Sequence, residues 1–81
     1  MKLEKIIEYK DVVSYIKSHN LLKQYKKSKN KILEWDLVSV DFRKRRPCKL
    51  EKYYFKINNK YRAFCYFKWS TLVIFEINDH Q

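Results

Sequence analysis

Glycine does not occur anywhere in this chain of 81 residues. Phosphate-cradling loops of the P-loop or dinucleotide-binding kind require a close backbone approach that a side chain would block. The sequence therefore excludes both kinds of nucleotide site, and we expect no nucleotide cofactor.

Cysteine is also scarce, because Cys48 and Cys65 are the only two and they form no CxxC pair. A zinc site would have to recruit His19 and His80 from distant parts of the chain. We expect neither a metal nor a disulfide framework, and no cofactor of any other kind.

Long hydrophobic segments are missing as well. No apolar run, that of residues 72–75 included, approaches the roughly 20 residues that cross a bilayer, and no secretory segment follows Met1. We expect a cytoplasmic protein without membrane contact.

Positive charge is abundant, since 19 Lys and Arg face 9 Asp and Glu, for a net charge of +10. A field of this sign attracts polyanions, and 46% hydrophobic content indicates a packed globule. We expect a single domain over residues 1–81 that binds nucleic acid or an acidic protein.

The N-terminal half has helical periodicity. A stripe that begins within residues 2–9 favours helix there, Asp11 is expected to cap a helix that ends near Ser18, and Asn20 to cap a second helix. The stripe consists of Ile6, Tyr9, Val13 and Ile16, and the second helix would bury Leu21, Leu22, Tyr25, Ile32 and Leu33.

The opposite side of the second helix is rich in lysine. This basic side is either a solvated helix surface or a phosphate-binding surface. It comprises Lys23, Lys26, Lys27, Lys29 and Lys31.

Alternation of apolar and polar residues then predicts a strand over residues 37–42. The strand leads into four consecutive cations, and this cluster ends at Pro47. Adjacent cations repel one another and stay exposed, so they can grip an incoming phosphate backbone. The four are Arg43, Lys44, Arg45 and Arg46.

The remaining chain predicts an antiparallel meander. A strand over residues 53–57 meets another over 61–67 across a hairpin at Asn58 and Asn59, and a second connection at 68–70 leads into a strand over 71–77. If the first loop has three residues with Asn59 left-handed, Lys56 lies opposite Arg62. A two-residue loop would instead place Phe55 there.

The three-residue loop separates charged from apolar side chains. It places one set towards the helices, namely Phe55, Ile57, Tyr61, Ala63, Cys65 and Phe67, and another on an open face, namely Tyr54, Lys56, Arg62, Phe64 and Tyr66. A three-residue loop at 68–70 then adds Val73, Phe75 and Ile77 to the core and Leu72, Ile74, Glu76, Asn78 and His80 to the open face.

This open face offers the groups that metal-free RNA cleavage requires. His80 can exchange protons near neutrality, Arg62 and Lys56 can stabilise the phosphorane, and the aromatic rings can stack on bases. Plainer interpretations stand beside these: Glu76 forms a surface salt bridge with Arg62, His80 is an inert terminal residue, and the rings pack beneath a helix.

The segment Tyr61-Arg62-Ala63-Phe64, the strand Thr71-Leu72-Val73-Ile74-Phe75 and the end Asp79-His80-Gln81 resemble the RelE/ParE superfamily of bacterial toxins. The resemblance covers roughly residues 40–81. It implies an α+β fold, with an N-terminal strand and two helices packed on a twisted antiparallel sheet, and so favours a strand within residues 2–9.

RelE- and YoeB-like members cut messenger RNA in the ribosome, whereas ParE-like members poison DNA gyrase. The resemblance places the family's strand arginine at Arg62, its C-terminal histidine at His80 and a strand lysine at Lys56. The YoeB-like pattern has a glutamate before the meander and a terminal tyrosine, where this chain has the basic run 43–46 and Gln81.

The resemblance therefore implies a type II toxin that cleaves ribosome-bound mRNA and pairs with an acidic antitoxin. Catalysis would rest on His80, Arg62 and Lys56. RNA contacts would come from Arg43, Lys44, Arg45, Arg46, Tyr54, Phe64, Tyr66 and Gln81. A gyrase inhibitor, a nucleic-acid-binding protein without toxicity and an inactive relic remain alternatives.

Overall fold

The computed structural model describes residues 3–45 and 51–79. Two helices lie between a short first strand and four later ones, which is the expected α+β class. The elements are β1 (Lys5–Glu8), α1 (Lys10–Ser18), α2 (Leu22–Leu33), β2 (Arg43–Lys44), β3 (Tyr53–Lys56), β4 (Tyr61–Lys68) and β5 (Thr71–Asp79).

The strands form one sheet in the order β1-β5-β4-β3-β2. The meander is antiparallel as predicted, but β1 pairs with β5 in parallel, so the sheet is mixed and not wholly antiparallel. Both helices pack on the same side, where Ile16 and Ile32 meet Phe55, Leu72 and Ile74 in the buried core.

The helical interpretation of residues 2–9 is wrong, because Lys5–Glu8 form the edge strand that the resemblance implied. Helix α1 begins at Lys10, with Asp11 in its first turn and not at its cap. The cap of α2 is Leu21, and Asn20 instead closes α1. From Lys10 onwards the two predicted helices are present, but their predicted apolar stripes are only partly right, because Val13, Leu22 and Leu33 are exposed.

The predicted strand over residues 37–42 is also wrong, because only Arg43–Lys44 pair as a strand. Residues 37–41 form a turn, in which the Asp36 carboxylate accepts hydrogen bonds from the backbone and hydroxyl of Ser39. Val38 consequently lies 92% exposed, whereas Val40 enters the core. The Asp36–Ser39 hydrogen bonds thus stabilise a turn, because the alternating residues 37–41 have no neighbouring strand to pair with.

Both helices and the 37–41 turn end with a residue in the left-handed conformation. Its N–H donates to the carbonyl three positions earlier, and the next N–H donates to the carbonyl five positions earlier. These residues are Asn20 (φ 56°), Trp35 (φ 62°) and Asp41 (φ 53°). Glycine usually occupies such positions, so this glycine-free chain adopts them at a conformational cost.

The first hairpin has the predicted register, since Lys56 pairs with Arg62 and Tyr54 with Phe64. The left-handed Asn59 was wrong, because Asn59 is not among the residues with positive φ. Instead the Asn58 side-chain oxygen accepts hydrogen bonds from the N–H groups of Lys60 and Tyr61, at 2.8 and 2.9 Å. This asparagine turn fixes the hairpin.

The second connection is one residue shorter than predicted, since Lys68 pairs with Thr71. Leu72 and Ile74 therefore lie in the core and not on the open face, and Val73 faces the opposite side together with its pair Tyr66. The alternation of side chains between the two faces of β5 then shifts at Phe75. This residue is inserted between Ile74, which pairs with Cys65, and Glu76, which pairs with Phe64.

This β-bulge restores the predicted sides for the rest of β5. Ile77 is buried, and Glu76 and Asn78 pair with the open-face residues Phe64 and Arg62. The Phe75 ring lies on the open face, 5.9 Å from the Tyr66 ring, so its predicted place in the core is wrong.

Neither of the two helices in the described residues is long and apolar enough to cross a membrane.

Candidate nucleic-acid interface

The open face is the side of the sheet opposite the two helices. Direct cross-strand partners project to the same side of a sheet, so the pairing places Arg43, Tyr54, Phe64 and Glu76 in one row across it. A second row contains Lys56, Arg62 and Asn78. Aromatic and cationic side chains therefore share this surface.

Arg62 lies near the middle of the open face and is partly buried. Its guanidinium carbon is 5.0 Å from the centre of the Tyr54 ring, in a cation–π contact. Lys56 stands directly opposite Arg62 on β3. Two cations on neighbouring strands at one level of the sheet can contact the same phosphate group.

Two further cations cover aromatic rings on this face. The Arg45 guanidinium carbon is 5.1 Å from the Phe64 ring, and the Lys52 ammonium is 4.4 Å from the Tyr66 ring and 5.3 Å from the Phe75 ring. Phosphates that attract these cations would free the rings to stack on bases, which is how sheets bind single strands.

Tyr9 extends the face beyond the first strand, since its hydroxyl is 3.2 Å from that of Tyr66. This hydrogen bond is the main cause that raises the pKa of Tyr9 above its usual value. The Tyr9 hydroxyl therefore remains protonated at neutral pH, and either hydroxyl of the pair can donate the hydrogen bond.

Asp41 places a carboxylate among the cations at one end of the open face. The Arg43 Nε atom donates to its Oδ1 at 2.8 Å, and this hydrogen bond is the main reason that the pKa of Asp41 lies below its usual range. Lys56 and Arg62 lower that pKa further. Asp41 therefore stays ionised and gathers three cations around it.

Glu76 does not form the expected salt bridge with Arg62 within residues 3–45 and 51–79. It is exposed beside Phe64 and accepts a hydrogen bond of 2.7 Å from the Asn78 side chain. Arg62 thus keeps its charge available for an external anion.

The structure brings together most of the predicted site residues and separates one. Those on the open face are Lys56, Arg62, Arg43, Arg45, Tyr54, Phe64 and Tyr66. Lys44 lies on the other side of the sheet, opposite Tyr53, whose ring packs against the core. His80, Arg46 and Gln81 lie outside the described residues.

Sequence reasoning missed several members of the open face, among them Tyr9, which was assigned to a helical stripe, and Val73, which was assigned to the core. Lys52 lies two residues before Tyr54, so strand alternation could have found it. Asp41 was hidden by the incorrect strand, and Phe75 by the bulge, which no local sequence signal marks.

Within residues 3–45 and 51–79, no group of three or more His, Cys, Asp or Glu residues is placed to hold a metal ion. Cys65 is fully buried, and burial raises the pKa of its thiol, so it acts as a core residue.

Comparison of the chain with protein-family models and with curated proteins finds no match.

Proposed function

We propose that this protein is a toxin of RelE type, an endoribonuclease that binds single-stranded mRNA on the open face and cleaves it without a metal ion. The observation that carries the proposal is the pairing of Lys56 with Arg62, beside the stacked Tyr54, on a sheet surface that neither described helix covers. The motif resemblance at residues 61–64 and 79–81 supports the catalytic part.

In this proposal the aromatic rings and cations of the open face bind the RNA strand before it is cleaved. Bases stack on Tyr54, Phe64 and Tyr66, while Arg43 and Arg45 contact backbone phosphates. Such binding tolerates many sequences, because every base offers a flat face and phosphates are uniform.

Arg62 and Lys56 stabilise the charge that builds on the phosphorane oxygens. The guanidinium is planar and permanently charged, and Tyr54 restricts its orientation through the cation–π contact. A group placed in this way before reaction lowers the barrier more than one that must reorganise.

Proton transfer is assigned to His80, as general acid or general base. Asp41 is a weak proton acceptor, because its neighbouring cations hold its pKa below the usual range. Histidine has the pKa best suited to donate and accept a proton near neutrality.

The test is primer extension on mRNA from cells that express the protein, together with growth curves. We expect Arg62→Ala to lower cleavage by about 10²- to 10³-fold, as removal of an oxyanion stabiliser does. His80→Ala should lower it by about 10²- to 10⁴-fold. Lys44→Ala is the matched control, since it removes a cation from the other face of the sheet. Cleavage and growth arrest that survive in both the Arg62 and His80 variants would contradict the mechanism.

Binding without cleavage is the second candidate, and it is favoured by the cations that rest on open-face rings. The same induced cells separate the two: salt-sensitive RNA binding with intact mRNA supports a binder alone. DNA damage signalling without RNA cleavage would instead support a ParE-like gyrase inhibitor.

The proposal includes two partners and a compartment. A ribosome would present the mRNA in the cytoplasm, so the toxin would inhibit translation and growth. An acidic antitoxin protein would neutralise the toxin by covering the positive face, in keeping with the net charge of +10.

A further inference from the structure

A polar cavity of about 290 Å³ lies between helix α2 and the end of strand β3. Its lining includes lysines from both elements, a serine of the 37–41 turn and the two asparagines of the hairpin. We call it the lysine pocket, and its polar lining includes Lys27, Ser28, Lys31, Lys56, Asn58 and Asn59.

The lysine pocket has an excess of positive charge. Lys27 and Lys56 have no salt-bridge partner within residues 3–45 and 51–79, whereas Lys31 lies 3.9 Å from Asp36. Lys27 and Lys31 thus set two ammonium groups of α2 against the one Asp36 carboxylate, an excess of about one positive charge, and Lys56 lines the pocket from β3. Lys27 and Lys31 are one helical turn apart and repel each other, so an anion between them would be stabilising.

Neutral groups in the pocket are held in fixed positions. The N–H groups of Lys60 and Tyr61 both donate to the Asn58 side-chain oxygen, which leaves the amide NH₂ of Asn58 as a free donor. The Ser28 hydroxyl donates to the Lys56 carbonyl at 3.0 Å and ties α2 to β3 beneath the pocket. The walls are therefore ordered before a ligand arrives.

We propose that the lysine pocket binds the terminal phosphate of an RNA strand whose bases lie on the open face. This inference rests on the proposed function. Lys56 joins the two sites, because it lines the pocket and also pairs with Arg62.

The charge and size of the pocket favour a chain end over an internal phosphate. A terminal phosphate carries about −1.5 to −2 charges at pH 7 and a phosphodiester carries only one, so a positively charged pocket attracts a chain end more strongly. The cavity lies at the lower limit of small-molecule sites, which suits a single phosphate group better than a whole nucleotide.

The experiment measures fluorescence anisotropy of 2′-O-methyl hexauridylate, which cannot be cleaved through its 2′ oxygen. Three forms are compared: a 5′-phosphate, a 3′-phosphate and hydroxyls at both ends. We expect one of the phosphorylated forms to bind wild type on the order of tenfold more tightly than the unphosphorylated form, through charge-assisted hydrogen bonds. The form that gains identifies the end of the strand.

The gain should disappear in Lys27→Gln/Lys31→Gln and in Asn59→Asp, an exposed loop change that adds negative charge. It should persist in Lys23→Gln/Lys26→Gln, which removes the same two charges from the same helix outside the pocket. Thermal unfolding of each variant confirms that it is folded.

Two failures are distinguishable. If all three strands bind wild type equally, or if the gain survives in both pocket variants, the lysine pocket is not a terminal-phosphate site and the proposed function stands. If none of the strands binds, the proposed function and this inference both fail.

Discussion

The guanidinium of Arg62 and the ring of Tyr54 contact each other diagonally across the β3–β4 ladder, with 5.0 Å between the guanidinium carbon and the ring centre. Under the proposed function, this contact joins the group that would bind phosphate to a ring that would stack on a base. RNA affinity should therefore depend on both side chains.

Tyr54→Leu should weaken binding of single-stranded RNA by about 1 to 3 kcal/mol, the usual effect of removing one stacking ring. Anisotropy of a fluorescent oligonucleotide measures the change. Trp69→Leu is the control, because it removes an aromatic ring that is 87% exposed in the β4–β5 turn, away from this contact. Equal losses in the two variants would show that the open face is not the stacking surface.

Arg45 and Lys44 are adjacent in the sequence but lie on opposite sides of the sheet. Arg45→Ala should lower the slope of log affinity against log salt by about 0.7, the value for one phosphate contact on a single strand, and Lys44→Ala should leave it unchanged. Binding titrations at four salt concentrations measure both slopes. The reverse order would place the RNA on the helix side.

Asp41 makes stability depend on pH. Its pKa is lower in the folded protein than in the unfolded chain, so its contribution is present above the unfolded value of 3.8 and is lost as pH falls through the folded value. Asp41→Asn should therefore lower the Tm at pH 7 and have little effect near pH 2.

Calorimetric Tm values across this pH range test that expectation. In an Arg43→Gln background the effect of Asp41→Asn should be smaller, because the main cause of the lowered pKa is absent. A pH-independent difference in Tm between the wild-type protein and the Asp41→Asn variant would argue that the carboxylate acts through geometry alone.

Trp69 occupies the left-handed region with φ 57° in the two-residue connection between β4 and β5. Trp69→Gly should raise the free energy of unfolding by about 1 kcal/mol, since glycine adopts this conformation without a Cβ clash. Urea unfolding measures the gain. Trp69→Ala retains the Cβ atom and should give none, so a similar gain in both variants would mean that the ring, and not the backbone, is unfavourable.

Much of the open face was predictable from the sequence because charge and apolar character alternate strictly around the first hairpin. Lys56 and Arg62 can share a solvent-exposed side only if Phe55 and Ala63 share the core, and the structure has this register. Only one pairing satisfies both requirements.

The second half of the meander was less predictable, because β5 is apolar on both sides. Leu72, Val73 and Ile74 are all buried, so hydrophobicity does not reveal which side each one faces. The bulge at Phe75 depends on pairing with β4, which is a tertiary property. Likewise, strand register and side-chain chemistry were enough to single out His80 in the sequence, whereas Asp41 required the turn geometry.

The extra residue at Phe75 separates β5 into two segments whose alignments are set independently. The Trp69 connection sets the alignment of residues 71–74. Pairing with the first half of β4, next to the Asn58 hairpin, sets the alignment of residues 76–79, which include Asn78 opposite Arg62. Insertions or deletions at the Trp69 connection can therefore be absorbed at Phe75. The row of Lys56, Arg62 and Asn78 would keep its alignment while the Trp69 end of the sheet diverges in length.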